Sequence, residues 1–197
     1  MLYSLTLYSI ESIGSASGMD MSNPETPSKW TSRFLYAAIA QGFCAFVITA
    51  LIVLPIVNPT PSKIIAAGSA GTWLTVGYLA YITVGVVGVG VTALFYHLLE
   101  SSLHKKMSPL ANGLAWIHLI LMNVGAAAAT WMLMYAGFLG GAGLMATSSG
   151  GGGLNAGQVH LIINPYVDPI GYAIIALGLG VFLGGIGFIM TLRSKSQ

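Results

Sequence analysis

Phe34-Leu-Tyr-Ala-Ala-Ile-Ala-Gln-Gly-Phe-Cys-Ala-Phe-Val-Ile-Thr-Ala-Leu-Ile-Val-Leu-Pro-Ile-Val57 runs without a single Asp, Glu, Lys or Arg. Three further stretches, 73–99, 110–137 and 171–192, are equally free of charge. A hydrocarbon core of about 30 Å takes about 20 helical residues to cross, and each stretch is long enough. All 7 Lys and Arg and all 5 Asp and Glu lie outside them. The pattern predicts an all-α integral membrane protein, a bundle of four helices.

Composition supports that class. Only 6% of residues are charged and the mean hydropathy is +0.81, whereas about a quarter of a soluble domain is charged. A membrane β-barrel would alternate apolar and polar residues over about 10 positions, and these stretches are continuously apolar. Helices also satisfy their own backbone hydrogen bonds, as lipid requires. The 1 cysteine, Cys44, lies mid-span and reads as a small apolar packing residue. A net charge of +2, with no basic block beyond Lys105-Lys106, gives no footprint for nucleic acid.

Positive charge predicts orientation. Lys29 and Arg33 precede the first span, Lys105 and Lys106 separate the second and third, and Arg193 and Lys195 follow the fourth. Lys63 alone falls in the other connections. By the positive-inside rule both termini and the 100–109 loop are cytoplasmic, in a multi-pass protein of the cell membrane. Trp30, Tyr36, Trp73, Tyr96, Trp116 and Tyr172 fall near span ends, as interfacial anchors do.

Residues 1–30 read as a flexible lead-in to a membrane domain over 31–197. No positive residue precedes the apolar 2–10 stretch, so it is no signal peptide. Met19 and Met21 are alternative starts, which would make the first twenty residues a gene-start artefact. The 139–169 connection, with Ser148-Ser-Gly-Gly-Gly-Gly153, reads as a flexible linker without a phosphate-binding pattern. Its end, 159–169, is expected at the outer interface, with Asp168-Pro169 as N-cap and first-turn proline of span four. Small residues mark helix packing. Gly125, the Gly180-x-x-x-Gly184 pair and the Trp73 region are the candidate packing positions, within the bundle or against a partner subunit.

Chemistry would most plausibly run through histidine. His97 closes the second span in Phe95-Tyr-His-Leu-Leu-Glu100, and His118 lies in the third. Both belong to the cytoplasmic side of one helical hairpin, so they are candidate ligands of a b-type haem. Measured from Glu100, His97 is about 4.5 Å deep; measured from Pro109, His118 is about 13.5 Å deep. That offset disfavours a shared iron unless span three enters the membrane only at Leu114. The simpler expectations are an interhelical hydrogen bond for His118 and an interfacial pairing of His97 with Glu100. His104 reads as solvated and His160 as isolated, and no closely spaced ligand set supports a metal. Gln41 and Asn123 read as interhelical glue. No carboxylate lies in a span, which counts against a pump, a proton-coupled transporter or a hydrolase.

The Gly71-Thr-Trp-Leu-Thr-Val-Gly-Tyr78 stretch resembles small multi-span proteins encoded beside archaeal terminal oxidases. Trp116-Ile-His-Leu-Ile-Leu-Met-Asn-Val-Gly125, Met134-Tyr-Ala-Gly-Phe-Leu-Gly-Gly141 and Gly184-Gly-Ile-Gly-Phe188 are similar in texture to late helices of haem-copper oxidase subunit I. The likeness covers about 120 residues and carries no cofactor motif. A catalytic subunit I resembles a twelve-span protein with a closely spaced copper-ligand set, which this chain does not have, so no ligand role transfers. The resemblance implies a non-catalytic accessory subunit of a respiratory oxidase, partnered in the lipid bilayer by oxidase subunits I and II, with no cofactor of its own. The alternatives are a b-haem electron-transfer subunit using His97 and His118, and a small channel or transporter.

Overall fold

A computed structural model of the chain describes residues 29–194. What was expected of the first twenty-eight residues, and the charge of Lys195, lies outside the described residues. The protein is all-α, with no strand among the described residues. Its five helices are α1 (Lys29–Val53), the short α2 (Pro61–Ala67), α3 (Ser69–Ser102), α4 (Pro109–Leu144) and α5 (Ala156–Arg193). All but α2 are long and apolar enough to cross a membrane, so the chain is a multi-pass membrane protein.

The helix ends are chemical. α1 stops at Val53 because Pro55 has no N–H and disfavours helix at Leu54. α4 begins at Pro109 behind Ser108, whose hydroxyl accepts the Ala111 N–H at 3.2 Å. α3 is not uniform: its turns widen to i→i+5 bonding over Tyr81–Gly88 and again over Leu98–Ser102.

The expected 139–169 linker is corrected. α4 runs on to Leu144, and α5 begins at Ala156, so the connection is short. Asp168 lies inside α5 and caps nothing. The N-cap is Asn155, in a reciprocal capping box with Gln158, each bond 3.0 Å long. Two effects override the local breakers. Gly140, Gly141 and Gly143 are buried against Ile163, Ile64 and Val159, so tertiary contact recruits the glycine run into helix. Pro165 and Pro169 sit inside α5, which membrane helices tolerate where surrounding structure compensates. At 36 and 38 residues, α4 and α5 are about 54 and 57 Å long, more than the roughly 45 Å of a whole bilayer. Their last and first turns, 137–144 and 156–171, continue side by side as a helical hairpin.

α4 is the spine. In its most apolar window 39% of residues are buried, against 17% for α5 and 11% for α1. Its small residues admit neighbours on two sides. A Cβ on Gly125 would lie 2.7 Å from the Leu177 nitrogen and 3.0 Å from the Ala173 carbonyl of α5. From the other side, a Cβ on Gly180 would lie 2.7 Å from the Leu121 Cβ, and one on Gly184 would enter the His118 ring. Gly125, Gly180 and Gly184 thus form one seam between α4 and α5. Gly137 meets the backbone of Trp73 and Leu74 in α3, a Cβ there lying 2.8 Å from the Trp73 carbonyl carbon. α1 packs instead on the later part of α3, with Trp30 and Phe34 against Val89, Ala93 and Tyr96.

Helix alternation gathers Lys29, Arg33, Lys105, Lys106 and Arg193 at one end and leaves Lys63 at the other. Cross-links tie that basic end together. The Trp30 indole donates to Asn112 Oδ1 at 2.7 Å, the Trp30 backbone N–H donates to Glu100 at 3.2 Å, and Lys105 donates to the Ser194 carbonyl at 2.5 Å.

Gly125→Val overpacks the α4–α5 seam and is expected to cost about 1–3 kcal/mol. Gly113→Val, where a Cβ meets nothing within 4 Å, is expected to leave stability within about 0.5 kcal/mol. Unfolding in mixed micelles measures both.

Candidate functional site

Two clusters of polar and aromatic groups lie within the bundle, both where α1 meets α3 and α4. Nearer the basic end, His118 is buried among rings: Phe34 at 5.1 Å, Phe188 at 6.1 Å and Tyr96 at 6.2 Å between centroids. Phe34 also stacks on Tyr96 at 4.9 Å. The Tyr96 hydroxyl and His118 Nδ1 stand 3.5 Å apart, the outer limit of a hydrogen bond. Gly184 closes the remaining side, since only a residue without a Cβ fits against the imidazole.

His97 takes no part in this cluster. Successive helical residues are about 100° apart, so the face that puts Tyr96 on His118 turns His97 outward, where it is exposed. Its expected partner, Glu100, instead accepts the Trp30 N–H at the start of α1, where a carboxylate complements the helix dipole. A haem held by two histidines needs an imidazole on each face of one iron. Here one imidazole points outward and the other is walled in by Phe34, Tyr96, Phe188 and Gly184, so these residues do not fit the group. His104 is exposed in the 103–108 loop. His160 is exposed on the first turns of α5, beside a groove shared with Trp73 and Asn164. Among the described residues no three of His, Cys, Asp and Glu converge on one point.

The second cluster lies deeper. Gln41 of α1 donates to Asn123 Oδ1 of α4 at 3.2 Å, and Asn123 donates to its own Leu119 carbonyl at 2.8 Å. Tyr81 of α3 donates to the Gln41 carbonyl at 3.2 Å and also contacts Gln41 Oε1. Thr49 and Tyr78 bond at 2.8 Å one layer further on. Three helices are therefore joined through Gln41, and both polar ends of its amide are occupied. Tyr81 lies over Gly85, where a Cβ would come within 2.9 Å of the ring, and it opens the widened turns of α3. Gln41 and Asn123 were legible as interhelical glue; Tyr81 was missed, since nothing in its own segment marks a buried hydroxyl.

Sequence reasoning also undervalued Arg33, treating it only as a topology charge. Its guanidinium lies over two indoles, 4.5 Å from Trp30 and 4.2 Å from Trp116, a cation–π arrangement. The Trp30/Arg33 spacing of three residues was the available signal; the second indole comes from another helix. Neither a known family, nor a curated protein, nor a solved structure matches this chain.

Internal polar groups that pair with one another in this way pack helices together. Asn123→Leu, which removes the acceptor of a buried amide, is expected to cost about 1–2 kcal/mol. Adding Gln41→Leu should cost clearly less than it does alone, because the two act as a unit. A double-mutant cycle in micelles checks this; additive costs would contradict the network.

Proposed function

We propose that this chain is a non-catalytic accessory subunit of a respiratory complex in the cytoplasmic membrane. On this reading it packs against the cofactor-bearing subunits I and II of a haem-copper terminal oxidase of archaeal type. Its basic end, with both termini, faces the cytoplasm.

The observation that carries the proposal is a second set of glycines on α5. Gly180, Gly184 and Gly187 face α4, yet Gly171, Gly178 and Gly185 face nothing among the described residues within 4 Å. They recur every seven residues, about two helical turns, so they line one stripe. Glycine in a helix costs about 1 kcal/mol relative to alanine, and lipid gives no return for it. A second helix does, because missing side chains let backbones approach closely. Tyr172, Ile175 and Phe182 stand exposed on the same helix. The pairing of the internal polar groups supports the non-catalytic part of the reading, and the likeness of 71–78, 116–125, 134–141 and 184–188 to oxidase-associated sequences supports the choice of complex.

Extraction of native membranes in mild detergent tests this directly. The chain is expected to co-migrate with larger haem-bearing subunits, and Gly178→Ile is expected to release it while its own unfolding curve is unchanged. Isolation of the wild-type chain as a free monomer or homo-oligomer would overturn the proposal.

A further inference from the structure

α1 and α4 meet only at separated points, chiefly Trp30 on Asn112 and Trp116, Phe34 on His118, and Gln41 on Asn123. Between them an open groove of about 440 Å³ runs down the outer surface from Arg33, past Ala37 and Ala40 on one wall and Leu119 and Val124 on the other, to Cys44. Apart from Arg33 and the mutually bonded Gln41 and Asn123, its lining is apolar.

Arg33 has a bonding deficit. The two indoles cover the face of the guanidinium, and its Nη1 is closed off from solvent without a hydrogen-bond acceptor. The carboxylates among the described residues are Glu100 and Asp168. Glu100 is engaged by the Trp30 N–H, and Asp168 belongs to the opposite half of α5. A guanidinium without an anion, placed in a membrane, is costly unless an anion is supplied. Protein atoms shield Nη1 itself, and Arg33 also lines the mouth of the open groove, where an anion can approach its other N–H donors.

Depth says what that body is. Arg33 lies one helical turn from the start of α1, at the level of the interfacial Trp30 and beside Lys29. Arg33 and Cys44 are eleven residues apart, about 16.5 Å along the helix. One leaflet of hydrocarbon is half of about 30 Å. The groove therefore begins at headgroup level with a cation and ends near the bilayer midplane, and its length matches one lipid tail. It opens at the basic end of the bundle, where Lys105, Lys106 and Arg193 add to the attraction for an anionic leaflet.

We propose that this groove is a binding site for one anionic phospholipid, with its phosphate on Arg33 and one tail lying between α1 and α4 as far as Cys44. The planar guanidinium presents paired N–H donors to a phosphate, which a lysine cannot reproduce. The lipid sets an anion beside the guanidinium and fills the gap that α1 leaves against α4. The site is independent of which complex the chain joins.

The test uses the full chain reconstituted in nanodiscs of mixed phosphatidylglycerol and phosphatidylcholine, then stripped with detergent and analysed by native mass spectrometry. Wild type is expected to retain one phosphatidylglycerol in preference to phosphatidylcholine. Arg33→Gln should lower that retention about tenfold or more, the weight of a charge-assisted hydrogen bond rather than of one surface cation. Ala40→Trp, which blocks the groove and leaves the charge, should lower retention of either lipid. Lys29→Gln, outside the groove, should lower it much less than Arg33→Gln does. Retention without headgroup preference, or retention in Arg33→Gln or Ala40→Trp equal to wild type, would overturn the site. So would loss in Lys29→Gln equal to that in Arg33→Gln, which would mean general surface attraction. A wild-type chain that binds inorganic phosphate but retains no lipid would equally overturn it.

Discussion

Close backbone approach along α4 is the constraint on which everything else rests. In lipid no water drives helices together, so association depends on van der Waals contact and on hydrogen bonds between helices. Gly125, Gly180 and Gly184 bring α5 onto one side of α4, and Gly137 and Gly141 bring α3 and the α2 residue Ile64 onto another. A larger residue at any of these positions would push a neighbouring helix away. The imidazole of His118 is set by the same seam, since it lies where Gly184 has no side chain. α1 is the exception. It is held through aromatic contacts and through Gln41, and it leaves open the groove that begins at Arg33.

The interior polar groups follow from this arrangement. A hydrogen-bonding side chain in hydrocarbon must find a partner, and the partners found are on neighbouring helices: Gln41 with Asn123 and Tyr81, and Thr49 with Tyr78. Groups engaged in this way fix helix order. The unused capacity lies outside the interior. It consists of the outward glycines of α5 and the charge of Arg33, one suited to a helix and the other to a phosphate.

The sequence made the four spans legible because charge-free stretches of that length have few other uses. It did not reveal how far α4 and α5 continue past the charge-free stretches. Gly140-Gly141 and Pro165 act as breakers by local rules, and only contact between Gly140 and Ile163, or the Asn155–Gln158 box, makes them helical. Glycine spacing hinted at packing without distinguishing faces. Positions 180, 184 and 187 and positions 171, 178 and 185 are equally glycine, and only the folded chain says which set is covered. The different settings of His97 and His118 were hidden for a related reason. Depth along a hairpin was estimated from residue counts, but rotation about each helix, which turned His97 outward, cannot be read from such counts.

The division of α5 into a covered and an outward glycine face is the claim on which both fold and function turn. Disulfide trapping in native membranes measures it. A Cβ on Gly187 would lie 3.4 Å from the Leu114 Cβ, close to the spacing of a disulfide. In a Cys44→Ala background, Gly187→Cys with Leu114→Cys is expected to cross-link rapidly within one chain, and Gly185→Cys with Leu114→Cys is not. Cross-linking of the 185 pair within a chain, or of the 187 pair only between chains, would contradict the assignment of faces.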